Sequence, residues 1–286
     1  MIKKLASLIY KLIFLFLKFF DTITKKRLSY AFKDEIQKNS YESIDIKGKK
    51  TNFFIPNSFT KYRLSTFYFK EPDTIKWLNE FEDKDNLIFW DIGANVGNYS
   101  IYAAQKYNSI NVVAFEPSHS NLRILSRNIS INNLSNKINI IQLPLSNQEL
   151  QLNLMNETDF VEGGSFNSFK ETYTSSKQKT NWKNSYKILG TSIDYLVEKK
   201  ILNIPDYIKI DVDGIEHLIL EGAKKTLQLE CCRSILVEIN EELKDQSELS
   251  NKILTDSGYK IQNKLQSTFT NKNYEFEKIY NQIWVK

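Results

Sequence analysis

The chain has 286 residues, 41% of them hydrophobic and 26% charged. That composition supplies one large core or two modest ones and excludes an intrinsically disordered protein. Its net charge of +5 is spread along the sequence, concentrating only near the N-terminus, which argues against a nucleic-acid binder with a basic, aromatic-studded face.

The first 27 residues stand apart. Residues 5–20 are apolar except for Ser7, Lys11 and Lys18. As a helix they span about 24 Å, short of the roughly 30 Å hydrocarbon core of a bilayer. Lys4, Lys11, Lys18 and Lys25 recur every seven residues. On a helix that spacing drifts only about 20° per step, so the lysines form one stripe on an apolar cylinder. This is the pattern of a helix lying in a membrane interface, with anionic head groups over the lysines. A helix that packs on the protein's own body or on a second copy is the alternative. No small-residue cleavage site follows Phe20, so a signal peptide is not expected.

Residues 28–85 read as a lead-in. Strands are predicted at 41–45 and 51–55 around Gly48, a hairpin. Pro72 and Asp73 suit a helix start, and Ile75, Trp77, Leu78 and Phe81 then fall at helical spacing over 73–81. Trp77 reads as a core anchor.

From Leu87 strands and helices alternate, which predicts a mostly parallel sheet covered on both faces. Strands are expected at 87–90, 111–115, 138–143, 207–210 and 234–239, with helices at 120–131, 216–227 and 247–256. Ser247 is the expected cap of the last helix. Residues 147–189 break the rhythm. They read as a strand at 150–154 followed by a long insertion that includes the polar run 175–180; loops of that length are usually functional or mobile. A capping box over Thr191–Asp194 opens a short helix, and two strands near 259–264 and 281–285 close the sheet. The expected organisation is thus 1–27, 28–85 and 86–286. Cys231 and Cys232 are adjacent and cannot staple a fold, so they read as reduced thiols of a cytoplasmic protein. With only His119 and His217 besides, no zinc site is expected.

The chemistry gathers at strand ends. The first strand runs into Asp91-Ile92-Gly93-Ala94-Asn95-Val96-Gly97, a turn opening a helix. A nicotinamide enzyme wants G-x-G-x-x-G at this point; here the glycines are four apart and an acid stands at the strand tip. A carboxylate is unwelcome to a pyrophosphate but suits a cationic ligand with an amine, such as S-adenosylmethionine. The second strand ends in Glu116-Pro117, where an acid grips ribose hydroxyls in doubly wound folds. The third ends near Pro144–Asn147, beside the expected adenine. The fourth ends in Asp211-Val212-Asp213-Gly214 and the fifth in Glu238-Ile239-Asn240. Any one of these acids alone reads as a cap or a solvated charge; their shared position along one sheet edge is the signal. The expected cofactor set is Asp91, Gly93, Asn95, Gly97, Glu116, Pro117, Ser146 and Asp211.

DIGANVGNYS at 91–100, FEPSHSNLRIL at 115–125, IKIDVDGIEHLILEGA at 208–223 and ILVEIN at 235–240 resemble the FkbM family of S-adenosylmethionine-dependent methyltransferases. The resemblance covers roughly 87–240 and is most specific in the fourth-strand block. It implies an α/β, Rossmann-like fold, the seven-stranded class I methyltransferase sheet, mostly parallel with an antiparallel closing strand. It also implies O-methylation of a sugar or polyketide-like hydroxyl. Two departures stand out: Asp213 where the family usually has Glu, and Pro144-Leu145-Ser146 where it favours Ala-Leu-Ser.

Methyl transfer to a hydroxyl is an in-line displacement that positioning can assist by about 7–11 kcal/mol, and the hydroxyl proton needs an acceptor. Asp211, Asp213, Glu216, His217 and Glu238 are the candidates, with Asp211 or Glu216 favoured. Asp211, Glu238 and Asn240 suit a divalent ion, but ion pairing with Lys209 accounts for the same residues and no metal is predicted. Phe160, Gly163, Gly164, Phe166, Asn167 and Trp182 mix aromatic and amide groups, which suits a sugar acceptor; a surface insertion without that role is the alternative. The expected acceptor is a sugar hydroxyl of a glycan or lipid-linked precursor, met at the inner face of the membrane. The rival classes are a nucleotide-sugar or NAD(P)-dependent Rossmann enzyme and a membrane-tethered, non-catalytic scaffold.

Overall fold

The computed structural model describes residues 1–158, 160–165, 167–169, 182–212, 214–266 and 278–286. Helix α1 (Ile2–Thr24) turns through residues 25–27 into α2 (Leu28–Lys38). The turn is fixed by Asp21, whose carboxylate accepts from the Leu28 amide at 2.6 Å and the Ser29 hydroxyl at 2.5 Å. It thereby serves an orphan donor at the start of α2. Phe14 and Leu17 are the buried residues of α1, and Phe14 meets Phe32 of α2 edge to face. Among the described residues no helix is long and apolar enough to cross a membrane.

The hairpin β1 (Tyr41–Ile46) and β2 (Lys49–Phe54) follows, paired antiparallel around the expected Gly48 turn. Two helices come next that periodicity did not predict, α3 (Ser58–Ser65) and α4 (Phe67–Lys70). Asn57 caps α3 with a reciprocal capping box. Helix α5 (Pro72–Asn79) starts at the proline, whose missing N–H costs nothing at that position.

The alternating region is β3 (Leu87–Ile92), α6 (Asn98–Lys106), β4 (Ile110–Phe115), α7 (His119–Ile131) and β5 (Ile138–Ile141). The strand expected at 150–154 is β6 (Leu150–Glu157), and where a long insertion was expected after it, β7 (Asn167–Phe169) and β8 (Asn184–Thr191) pair with it in an antiparallel sheet. The polar run 175–180 lies outside the described residues. The chain continues through α8 (Ile193–Glu198), β9 (Tyr207–Ile210), α9 (Glu216–Glu221), α10 (Lys224–Leu227), β10 (Ser234–Asn240), α11 (Lys244–Asp256), β11 (Lys260–Leu265) and β12 (Ile279–Val285).

Seven strands form one sheet in the order β11-β12-β10-β9-β3-β4-β5. Neighbours from β5 to β10 are parallel, and β12 runs antiparallel between β10 and β11. Alternation within each strand sends side chains to two cores. Leu87, Phe89, Val112, Ala114, Tyr207 and Leu236 face α5, α6, α7 and the lead-in. Trp90, Ile92, Val113, Ile208, Ile210 and Val237 face the helices from α8 to α11. The lead-in belongs to the first core: Trp77, 2% exposed, packs edge to face on Phe81, and its Nε1 donates to Ser234 Oγ at 2.9 Å.

Three local expectations differ from the structure. The cap of α8 is Ser192, which accepts from the Tyr195 amide, so the capping position lies one residue beyond Thr191. Helix α11 begins three residues ahead of Ser247, which is buried inside it. The predicted helix over 216–227 is two pieces broken at Gly222–Ala223. Gly222 sits so close to the strand-tip loop that a Cβ there would lie 2.1 Å from the Ser146 carbonyl oxygen.

Candidate active site

The parallel strands bring their C-terminal ends to one edge, and a cleft opens there. Its floor is Gly93 and Asn95 after β3, Glu116 and Pro117 after β4, Leu143 to Leu145 after β5, and Asp211 and Val212 after β9. Ile215 and Ile219 close one side. The antiparallel sheet supplies the other through Met155, Gly164, Ser165, Asn167 and Phe169.

Gly93 makes the turn possible. It has φ of +84°, and a Cβ built on it would sit 1.9 Å from the Asp211 carbonyl oxygen. Only a residue without a side chain lets the β3 and β9 tips approach this closely. Glu116 is 5% exposed, and each of its oxygens is held by a backbone amide: Oε2 by Asn95 at 2.8 Å and Oε1 by Ser118 at 2.9 Å. Burial pushes its pKa up to about 7 against those amides, which pull it down. A buried carboxylate lining a cleft is stabilised by ligand hydroxyls that donate to it. The tip of the β6–β7 connection is tied over this turn. Asn95 Nδ2 and Asn121 Nδ2 donate to the Gly164 carbonyl at 2.8 and 3.2 Å, and the Gly163 amide donates to Asn121 Oδ1 at 2.9 Å.

A second cavity, of about 490 Å³, adjoins the first and shares Gly93, Asn95 and Asp211 with it. It lies on the lead-in side of the sheet and is lined by Arg63, Lys70, Glu71, Tyr99 and Lys209 among others. Lys209 is 1% exposed and donates to Asp211 Oδ2 at 2.7 Å. Lys70 pairs with Glu71 at 2.9 Å, and the Tyr99 hydroxyl donates to Glu71 Oε2 at 2.8 Å. Burial works against ionising Asp211, yet Lys209 and Lys70 hold its carboxyl below the ordinary value. Glu71 is likewise kept low, against burial, by the Lys70 ammonium. Glu238 is pushed well above its ordinary value by burial and by the charges of Asp211 and Glu71.

The expected site residues therefore divide. Gly93, Asn95, Glu116, Pro117 and Asp211 line the cleft. Asp91 does not: it is fully buried on β3, opposite Lys209 in register, with Oδ2 accepting from the Ser100 hydroxyl at 2.6 Å. Its carboxyl anchors the first turn of α6, and burial raises its pKa. Gly97 and Ser146 are also behind the lining; Ser146 is 1% exposed and its amide donates to the Thr191 carbonyl. Glu216 accepts from the Val212 and Gly214 amides through Oε1, so it holds the loop after β9. With Glu238, Asn240 and His217 it lines a separate small cavity. Asp213 and Phe166 lie outside the described residues. Phe160 is 65% exposed, while Gly164 and Asn167 join the cleft wall. Among the described residues no group of three His, Cys, Asp or Glu side chains is placed to hold a metal.

A seven-stranded, doubly wound sheet with a Gly turn, a buried acid at the second strand tip and a cleft along its strand tips defines a nucleoside-cofactor enzyme of the class I methyltransferase type. Comparison with known proteins sharpens this. The profile of the methyltransferase FkbM domain matches residues 91–265. Methyltransferase sdnD of Sordaria araneosa is 26% identical over 201 residues, covering 62% of this chain and 74% of that protein. Hexuronic acid methyltransferase AglP of Haloferax volcanii is 27% identical over 172 residues, 59% of this chain and 62% of AglP, so the match spans less than two thirds of that relative. A crystal structure of a methyltransferase FkbM from Methylobacillus flagellatus KT is 17% identical with a TM-score of 0.49, covering 73% of this chain and 45% of that one.

The chain belongs to the FkbM methyltransferase family. Its methyl donor is S-adenosylmethionine, and the residues present fit that molecule: the bare Gly93 backbone leaves the cleft open where a side chain would fill it, and a buried acid, Glu116, lines it with its carboxylate. The lead-in residues that line the second cavity were not anticipated. Arg63, Lys70 and Glu71 come from helices or helix ends with no motif of their own, and Glu71 carries only the signal of an acid preceding the Pro72 helix start.

Proposed function

We propose that this methyltransferase O-methylates a sugar hydroxyl in a glycan or glycolipid precursor, working on the cytoplasmic face of a membrane to which α1 holds it. The observation that carries the reading is the position of Asp211, the one carboxylate among the described residues that borders both cavities. S-adenosylmethionine supplies an electrophilic methyl group on a positive sulfur. Asp211 orients the acceptor hydroxyl and takes its proton. A carboxylate below its ordinary pKa suffices for this, because a hydroxyl oxygen becomes strongly acidic as its new bond to carbon forms. Lys209 keeps that carboxylate charged and fixed at 2.7 Å. Glu216, occupied with backbone amides, supports the loop.

A sugar acceptor is supported by the wall beyond the strand tips, where the Asn167 amide stands beside the Phe169 ring. The similarity to a hexuronic acid methyltransferase points the same way. The rival reading as a nicotinamide or nucleotide-sugar enzyme gives way to the family match. The test is mass spectrometry of surface glycans from cells lacking the gene, restored with wild type or with Gly93→Ala. Loss of the gene is expected to lower the acceptor by about 14 mass units, one CH₂. Wild type restores that mass and Gly93→Ala does not, since its Cβ meets backbone. Unchanged glycan masses overturn the acceptor class.

A further inference from the structure

One buried carboxylate has no role in the reaction described above. Glu157 closes β6, is 1% exposed, and stands in register between Asn167 of β7 and Asn184 of β8. Its side-chain donors among the described residues are all neutral. Oε1 accepts from the Ser118 hydroxyl at 2.8 Å and the Tyr186 hydroxyl at 3.1 Å, and Oε2 from Asn184 Nδ2 at 3.2 Å. A carboxylate sealed among neutral groups carries a desolvation cost that a neutral side chain would avoid. Its link to Ser118 is unusual in a second way. Ser118 holds the N-cap position of α7, where a serine hydroxyl ordinarily accepts from a helix amide. Here it makes no capping bond. Its one proton goes to Glu157, so Ser120, 3.0 Å away, donates to Ser118 Oγ. Both donors of Ser118 are thus spent on glutamates: the hydroxyl on Glu157 and the amide, at 2.9 Å, on Glu116 Oε1.

We infer that Glu157 is a positioning residue for the methyl donor: by holding the Ser118 hydroxyl it aims the Ser118 amide at Glu116 and fixes the Glu116 carboxylate for the donor's ribose hydroxyls. The inference rests on Glu116 being the group that receives those hydroxyls. Ser118 is 0% exposed, so water does not replace Glu157 if the link is broken. The freed hydroxyl then has the ordinary N-cap alternative, a helix amide of α7, and turning to it draws the serine away from Glu116. Glu157 also brings a negative charge to the N-terminus of a 13-residue helix whose own cap is diverted, which favours its ionised form there. The carboxylate reaches Glu116 from outside the seven-stranded sheet. Asn167, its register partner on β7, lines the cleft. The antiparallel sheet thereby ties the cleft wall to the grip on the donor.

Competition calorimetry against S-adenosylhomocysteine at pH 8 tests this on the full chain. The competitors are adenosine and 2′,3′-dideoxyadenosine, which differ only in the two ribose hydroxyls. The wild type is expected to prefer adenosine at least tenfold, and Glu116→Gln to reduce that preference to about twofold or less. Glu157→Ala is expected to cut it to about threefold, with Glu157→Gln, which keeps an oxygen for Ser118, in between. Ser118→Ala removes the same link while Glu157 keeps Tyr186 and Asn184, and is expected to match Glu157→Ala. The double variant should lose no more than either single one. A Glu157 that only stabilises the sheet weakens both nucleosides alike. A wild-type preference in folded Glu157→Ala or Ser118→Ala therefore overturns the inference, as does a double variant in which the two losses multiply. Failure of the ribose assignment itself looks different: Glu116→Gln then keeps the wild-type preference.

Discussion

At the scale of single residues, Glu116 is the group whose charge state should govern cofactor binding. Its folded pKa is raised from 4.5 to about 7 by burial. Ligand hydroxyls donate to the ionised form, so S-adenosylhomocysteine affinity should rise as pH increases from 5.5 and level off above about 7.5. Calorimetry across that range checks this, and Glu116→Gln should bind at least tenfold more weakly at pH 8 with little pH dependence. Stability runs the opposite way. A raised carboxyl pKa means the folded chain holds a proton that the unfolded chain releases, a contribution complete below pH 4.5 and lost as pH rises through about 7, on the order of 3 kcal/mol at most. The ligand-free protein should therefore lose stability over that interval and regain it when the nucleoside binds. Glu116, Gly93 and Asp211 were legible in the sequence because strand ends of a parallel sheet share an edge. Asp91 shares that edge but points into the core face, and a single sequence does not distinguish a tip acid that meets solvent from one sealed under a helix. Arg63, Lys70 and Glu71 were invisible because their place is set by how the lead-in folds back across the sheet.

At the scale of elements, the parallel strands of the sheet were readable because each is a short, largely apolar run bounded by turn residues. The missed ones had other signals. β8 is mostly polar and becomes a strand only through its pairing with β6, and α3 and α4 span a Tyr-, Phe- and Thr-rich stretch whose apolar residues follow no single period. The helix α1 has a period that its packing on α2 leaves unused. Leu5, Ile9, Leu12, Phe16, Phe19 and Ile23 recur at three- and four-residue spacing, and each is roughly half or more exposed. Phe14 and Leu17, which bury against α2, lie on a different side. An apolar face of that length beside a lysine stripe matches an interfacial helix. Full-length protein should therefore float with vesicles containing anionic lipid, float poorly with neutral vesicles, and cease to float when residues 1–27 are removed. Equal flotation of both forms would count against the membrane role.

At the scale of the whole molecule, the lead-in from β1 to α5 is part of the catalytic body. Ile46, Phe53, Leu64, Phe67 and Trp77 share one core with β3 and β4, and the Trp77 indole reaches across to β10. Removing residues 1–39 should leave a cooperatively unfolding protein, while removing 1–85 should abolish the cooperative transition seen by circular dichroism. Trp77→Ala should cost about 3–5 kcal/mol in denaturant unfolding, from lost packing and the lost indole hydrogen bond to Ser234. The strand order adds a constraint of timing. β12 lies between β10 and β11 yet is translated after both, so β11 can find no neighbour in the sheet until the ribosome has released the strand that separates it from β10. α1, by contrast, precedes every strand of the sheet in the chain. If the flotation expected above holds, the lipid-binding segment is exposed on the nascent chain before the cleft that grips the donor can close.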